Sequence, residues 1–182
     1  MRIEKGTART VFIFPSLNIA LKIAMFNLSS TKKLLIRIIK SGQIKKRLRD
    51  EFFLFTCDSK GTLKKYLLRG ITENLNEYIF YVRHRKKLPI QPTYISLFGI
   101  CNIVKIASPL RLSDEAWRMW WSNIVNIIGC TIIKDPHIFE KSENFSREGD
   151  ALMFLDYGSK KTQAILRTHG KKFFNFYKNT GA

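Results

Sequence analysis

The sequence has few cysteines and no long apolar run, which argues against a disulfide-rich protein, a Cys-x-x-Cys metal protein and a membrane-spanning protein. Three cysteines at wide spacing, Cys57, Cys101 and Cys130, form neither a disulfide framework nor a Cys-x-x-Cys metal motif. No apolar run approaches the roughly 20 residues that a membrane-spanning helix needs, and no signal-peptide pattern is evident. We therefore expect a cytoplasmic protein without a membrane span, with export into a host cell as the alternative.

The shortage of acidic residues gives the chain a strong positive charge. Asp and Glu number 14 against 32 Lys and Arg, so the formal net charge is +18. Residues 31–90 contain 16 of the basic and five of the acidic residues, a surplus of 11 that leaves +7 for the remainder. Such a charge attracts phosphates, nucleic acid, anionic lipid or an acidic protein. We expect the segment from Lys32 to Arg49 to dock an unknown protein partner or an anionic surface, with nucleic acid as the alternative.

The apolar content indicates a folded protein. Hydrophobic residues make up 45% and aromatic residues 13% of the 182 residues, which is enough for one core or two small lobes that share a cleft. Runs of β-branched and aromatic residues predict hairpins and strands, and apolar residues at three-to-four spacing predict helices. In chain order these are hairpin 8–24, helices 29–49 and 75–82, hairpin 94–106, helix 113–128 and strands 131–133 and 151–155.

Two short motifs lie near the start of the chain. The run Gly6-Thr7-Ala8-Arg9-Thr10-Val11 precedes Ala20-Leu21-Lys22. This pair resembles the glycine-rich strand pair and the Ala-x-Lys motif of protein kinases, with Arg9 in place of the last glycine. The resemblance implies that Gly6 lies beside a bound nucleotide and that Lys22 contacts its phosphates.

A glutamate on the second predicted helix extends this resemblance. Glu77, in Asn74-Leu75-Asn76-Glu77-Tyr78, is similar to the kinase helix glutamate that pairs with the lysine and fixes its reach. Glu73, one helical turn earlier, is the competing candidate. The resemblance therefore implies an ion pair between Lys22 and Glu77 across the long basic segment that separates them.

Two further motifs stand twelve residues apart near the end of the chain. The run from His137 to Asn144 resembles the His-Arg-Asp-x-x-x-x-Asn catalytic loop of kinases, and Asp156-Tyr157-Gly158 resembles Asp-Phe-Gly. The resemblance implies that Asn144 and Asp156 hold the Mg²⁺ ions that bridge the phosphates of ATP.

The residue that should accept the substrate proton depends on the alignment. In the first alignment Phe139 occupies that position, and a phenyl ring cannot accept a proton, which makes the protein a pseudokinase. In the second, Asp135-Pro136-His137 is similar to the Asp-x-His of small-molecule and atypical kinases, and Asp135 is then the base. Both alignments keep Asn144 and Asp156.

The resemblance implies an α+β, minimal kinase-like fold over residues 1–182. Residues 1–107 would form a β-rich first lobe with a basic insertion at 29–70, and residues 108–182 a reduced, mainly helical second lobe. The function implied is that of an ATP- and Mg²⁺-binding protein, either an atypical kinase of low activity or a pseudokinase. The alternative is a non-catalytic basic protein that uses the fold as a scaffold to bind a host protein or nucleic acid, as a phage or secreted bacterial interference factor would.

Overall fold

A five-stranded antiparallel sheet, a separate hairpin and three α-helices make up the described part of the chain, which confirms the α+β class. The computed structural model describes residues 1–6, 8–26, 32–33, 36, 39–40, 42, 63–110, 113–128, 139, 141–148 and 151–180. The strands and helices are β1 Arg2–Lys5, β2 Arg9–Phe14, β3 Ile19–Ala24, α1 Leu63–His84, β4 Thr93–Leu97, β5 Cys101–Lys105, α2 Asp114–Ile128, β6 Phe145–Glu148, β7 Ala151–Phe154 and α3 Lys160–Thr180.

The large sheet has the strand order β1-β2-β3-β5-β4, with every neighbouring pair antiparallel. Burial alternates along β3, so that Ala20, Lys22 and Ala24 lie on its buried face. The turn between β4 and β5 uses Phe98 and Gly99 at positive φ, a conformation that a tight hairpin turn requires. A lysine is thus placed on the inner face of a central strand.

Helix α1 packs closely against the inner face of this sheet. A Cβ atom on Gly70 would lie 2.3 Å from the carbonyl oxygen of Ala8 and 3.0 Å from Cα of Ala24, so only glycine permits the contact. One turn further along, the fully buried Asn74 donates hydrogen bonds to the carbonyl oxygens of Lys22 (3.2 Å) and Gly99 (3.0 Å). These contacts fix the height and rotation of α1 over β3.

A hydrophobic core lies between the end of α1, the β6–β7 hairpin and α3. Its members are aromatic and aliphatic side chains, namely Phe80, Leu88, Ile90, Phe139, Phe145, Leu152, Phe154, Tyr157, Ile165 and Leu166. Backbone hydrogen bonds join β7 to the segment before β4, from Gln91 N to Phe154 O (2.9 Å) and from Phe154 N to Pro89 O (3.0 Å). The end of β7 is therefore held beside the start of β4.

The observed elements differ from the predicted ones at several places. Both predicted hairpins, the Ser113-capped helix and the strand at 151–155 are present, with Ser113 Oγ accepting from Ala116 N at 3.3 Å. Helix α1 is longer than predicted and begins at Leu63, inside the segment assigned as the basic insertion. Strands β1 and β6 and helix α3 were not predicted. The predicted strand at 131–133 and most of the helix at 29–49 lie outside the described residues.

None of the helices in the described ranges is both long enough and apolar enough to cross a membrane.

Candidate functional site

Lys22 is held on the inner face of the sheet by three acceptors. Its Nζ donates to Glu77 Oε1 at 2.6 Å, to Gln91 Oε1 at 3.1 Å and to the carbonyl oxygen of Leu155 at 3.3 Å. The side chain is 10% exposed, so the ammonium lies in a setting where an unpaired charge would be costly. The three protons of the ammonium thus all have partners, and one of them is the glutamate that the sequence singles out.

Glu77 lies on the face of α1 that packs against the sheet and is fully buried. Oε1 accepts from Lys22, and Oε2 accepts from the Arg9 guanidinium in a close ion pair. Glu73 lies one turn earlier on the same helix face, as the 3.6-residue repeat requires. It pairs with Arg69 at 2.7 Å and is 4.0 Å from Nε of Arg9, while the carboxylate that contacts Lys22 is that of Glu77.

Arg9 joins the helix to the loop that follows β7. Its guanidinium contacts Glu77 and also donates to Asp156 Oδ1 at 2.8 Å, although the two carboxylates are 79 residues apart in the chain. Burial disfavours the charged form of Arg9, but the carboxylates of Glu77, Asp156 and Glu73 raise the pKa of its guanidinium above the ordinary value. We refer to Arg9, Lys22, Glu77 and Asp156 as the ion cluster.

Asp156 is the most accessible member of the ion cluster, with 41% of its side chain exposed. Burial of part of the group favours the neutral acid, but the charges of Arg9 and Lys22 and the hydrogen bonds from Arg9 and the Gly158 backbone hold the pKa of Asp156 below its ordinary value. The carboxylate is therefore ionised at neutral pH, which is the form that can bind a metal ion.

Tyr157 and Gly158, which follow Asp156, fix the position of the turn that carries it. The fully buried Tyr157 donates its hydroxyl proton to the carbonyl oxygen of Gln91 at 2.5 Å and lies 3.0 Å from Thr93 Oγ1. Burial and the charge of Glu77 raise the pKa of the Tyr157 phenol well above its ordinary value. A Cβ atom on Gly158 would be 3.0 Å from the carbonyl oxygen of Glu73, so the glycine lets this turn approach α1.

Asn144 lies beside the residue that precedes Asp156. It ends a 3-10 turn at Ser142–Asn144, is partly buried, and its carbonyl oxygen accepts from the amide of Leu155 at 2.8 Å. The two residues predicted to hold magnesium therefore come from adjacent, hydrogen-bonded segments. Gly6 lies in the turn between β1 and β2, where its amide donates to Arg9 O at 2.9 Å.

The two alignments place Phe139 or Asp135 at the position of the catalytic base, and the structure describes only the first of these residues. Phe139 is 1% exposed and stacks on Phe154 with ring centroids 5.2 Å apart, so it is a core residue. Asp135 lies outside the described residues.

Two members of the arrangement were not anticipated as site residues. In the sequence Arg9 stands out only as a departure from a glycine motif, and Gln91 does not stand out at all. A basic residue at the position of the last glycine of the motif was the available signal for Arg9. No local pattern marks Gln91, because its contacts with Lys22 and with the Lys105 carbonyl oxygen (2.7 Å) depend on the sheet order.

The ion cluster offers charge and oxygen ligands and lacks a multi-carboxylate metal cage. Across the described residues, no three His, Cys, Asp or Glu side chains are grouped so that they could hold a metal ion. No family model, curated protein or solved structure matches the chain. The functional interpretation therefore depends on the geometry of the ion cluster.

Proposed function

We propose that the chain is a minimal kinase-like protein that binds Mg-ATP at the ion cluster. The observation that carries this proposal is the 2.6 Å contact between Lys22, on the third strand of the sheet, and Glu77, on the helix that follows. In protein kinases a lysine on the third strand and a helix glutamate form an ion pair that aims the lysine at the phosphates. The order of hairpin, helix, hairpin, helix, hairpin and Asp-Tyr-Gly supports the same assignment.

Asp156 and Asn144 are the residues that would hold magnesium in this proposal. Mg²⁺ prefers oxygen ligands and is commonly held by one or two protein groups together with substrate phosphates and water, so a site without a cage of carboxylates suits it. The exposure of Asp156 gives an ion access to the carboxylate. The bound ion would neutralise charge that develops on the phosphates during transfer.

Arg9 adds a requirement to this proposal. Its guanidinium donates to Asp156 Oδ1, which is one of the two oxygens that a metal ion would use. A metal ion held by Oδ1 therefore requires Arg9 to release that oxygen. The released guanidinium would lie next to the phosphates, where an arginine fork matches their geometry.

A thermal shift measurement tests the proposal. Mg-ATP at about 100 times its Kd should stabilise the wild-type chain by about 2.7 kcal/mol, which corresponds to a rise in Tm of about 5–10 °C for a chain of this size. Lys22→Met and Asp156→Asn should abolish the shift, because they remove the phosphate contact and the metal ligand. Lys5→Met, which makes the same chemical change on the exposed strand β1, is the matched control and should keep it. No shift in the wild type at saturating Mg-ATP would overturn the proposal.

A second candidate is a nucleotide-binding scaffold that transfers no phosphate. The observations that favour it are the burial of Phe139 at the position of the base in the first alignment and the engagement of Asp156 by Arg9. In this case the basic surface would serve to bind a partner. The docking role of Lys32 to Arg49, for a protein, an anionic surface or nucleic acid, stays a prediction, since most of that segment lies outside the described residues.

A further inference from the structure

A cleft of about 400 Å³ lies between α1 and α3, away from the ion cluster. None of the four members of the ion cluster lines it, and its volume is within the range of small-molecule sites. Its walls are formed by one face of each helix, with the residues Asn76, Ile79, Phe80, Arg83, His84, Lys160, Gln163 and Arg167. The cleft is thus a separate concave site in a protein whose proposed nucleotide site lies elsewhere.

Among the described residues, the charged groups that line this cleft are all cationic. Arg83 projects from α1, and Lys160 and Arg167 project from α3, and all three are exposed. Within the described ranges none of the three forms an ion pair, and no acidic side chain lines the cleft. The acidic residues of α1 pair elsewhere, Glu77 with Lys22 of the sheet and Glu73 with Arg69 of the same helix.

His84 reports the positive potential of the cleft. Burial lowers the pKa of its imidazole below the ordinary value, and the charges of Arg167, Lys87 and Arg83 lower it further. The ring packs on Phe80 with centroids 4.4 Å apart, which keeps it at the wall of the cleft. The cleft is therefore lined by three cations from two helices, and none of them has an acidic partner in the part of the chain that the structure describes.

We propose that this cleft binds the phosphate group of a small phosphorylated molecule. Two arginines and a lysine can donate charge-assisted hydrogen bonds to phosphate oxygens, and arginine presents a planar fork that matches them. Ile79 and Phe80 provide an apolar wall for the rest of the molecule, and the volume limits the occupant to a small one.

The floor of the cleft is connected to the backbone that carries the ion cluster. Gln163 Nε2 donates to the carbonyl oxygens of Asn76 (3.1 Å) and Tyr157 (2.9 Å). These residues are the chain neighbours of Glu77 and Asp156. The proposal stands on the cleft alone, however, and does not require that the ion cluster binds ATP.

The test uses inorganic phosphate as the probe and the imidazole of His84 as the reporter. Phosphate should produce a saturable change in the His84 ring signals of the full chain in an NMR titration at fixed pH and constant ionic strength. Saturation should also raise the pKa of His84 toward its ordinary value, because the anion offsets the charges of Arg167, Lys87 and Arg83. The double variant Arg83→Gln/Arg167→Gln should weaken phosphate binding at least about tenfold, since it removes two of the three cationic donors of the cleft.

The matched control is Lys86→Gln/Lys161→Gln. It also removes two positive charges, from exposed positions in α3 and just after α1 that do not line the cleft, and should bind phosphate as the wild type does. Equal weakening in both double variants would mean that phosphate responds to the overall charge alone, and would overturn the site. A wild-type titration in which the His84 signals do not saturate would overturn it as well. All four substitutions are at exposed positions, so both double variants are expected to fold.

Discussion

At the scale of single residues, one buried glutamate is shared by two cations of different chemistry. Lys22 approaches Glu77 Oε1 as a compact ammonium, whereas Arg9 contacts Oε2 and extends its fork to Asp156. A buried carboxylate with two cationic partners keeps one of them if the other moves away. Arg9 can therefore release Asp156 without leaving Glu77 as an isolated buried charge, which would be strongly destabilising.

Arg9→Met is expected to raise the affinity of the chain for Mn²⁺, used as a spectroscopic substitute for Mg²⁺. The substitution removes one charge-assisted hydrogen bond and one repelling charge from Asp156, so we expect an increase of about tenfold. Free Mn²⁺ measured by electron paramagnetic resonance, without nucleotide, gives the affinity directly.

The control for this experiment is Arg2→Met, which makes the same change at a side chain that is 65% exposed on β1. It should leave Mn²⁺ affinity unchanged. Arg9→Gln, which retains a donor for Glu77, serves as a second variant if Arg9→Met is too unstable to study. A folded Arg9 variant with wild-type Mn²⁺ affinity would contradict the competition between the guanidinium and the metal ion.

The contact between Lys22 and Glu77 could be predicted from the sequence only through the resemblance to kinases. The two residues are 55 positions apart, and neither periodicity nor composition joins them. Arg9 and Gln91 could not be assigned in this way, because their roles follow from the pairing of β3 with β5 and from the return of the chain after β7. Long-range contacts of this kind depend on topology, which local sequence patterns do not encode.

At the scale of elements, the position of α1 decides whether the ion cluster forms. Gly70 and Asn74 hold the helix against β3, and Glu77 follows within two turns. A shift of the helix away from the sheet would carry Glu77 away from Lys22.

Gly70→Ala is expected to destabilise the protein although alanine is the better helix former. The helix propensity of alanine would add about 1 kcal/mol of stability, but the new methyl group would lie 2.3 Å from the backbone oxygen of Ala8. Overpacking against backbone costs about 1–3 kcal/mol, so the net change should be a loss. Urea denaturation measures the free energy of unfolding, and Thr72→Ala, on the exposed side of the same helix, is the control and should be neutral or stabilising. A gain in stability for Gly70→Ala would contradict the close approach of α1 to the sheet.

The elements that were not predicted lack a strong local sequence pattern. Strand β1 is four residues long, lies at the sheet edge and consists largely of charged residues, so it has no apolar alternation to detect. Helix α3 begins in a polar stretch, and its buried residues Ile165 and Leu166 become a core face only when they meet the β6–β7 hairpin. The predicted hairpins and α2 carry strong local signals, and these were found.

At the scale of the whole molecule, the proposed nucleotide binding and phosphoryl transfer are separate properties that can be tested one after the other. A chain that binds Mg-ATP through Lys22 and Asp156 has the positioning and charge stabilisation on which this chemistry mostly depends. Asp135, which the second alignment makes the base, would then add to the rate without being indispensable.

Transfer of radiolabel from the γ-phosphate of ATP, to the chain itself or to proteins of a lysate, tests this step. Asp156→Asn should abolish labelling, because it removes the metal ligand. Asp135→Asn should lower it by about 10²- to 10⁴-fold, the usual contribution of a general base. Glu115→Gln, at an exposed position on α2, is the control and should label at the wild-type rate. A wild-type chain that gives the Mg-ATP thermal shift but labels nothing would establish the scaffold in place of the kinase.

The burial of Tyr157 limits how Asp156 can respond to any of these ligands. The Tyr157 hydroxyl donates to the main chain just before β4, and its ring belongs to the hydrophobic core. The backbone of the turn therefore cannot move outward unless this aromatic side chain leaves the core. The carboxylate of Asp156 is partly exposed, so after Arg9 releases it a response to a ligand would consist of rotation about its own side-chain bonds. Exchange of the Arg9 guanidinium for a metal ion would then reorient the Asp156 side chain while the backbone of the turn stays in place.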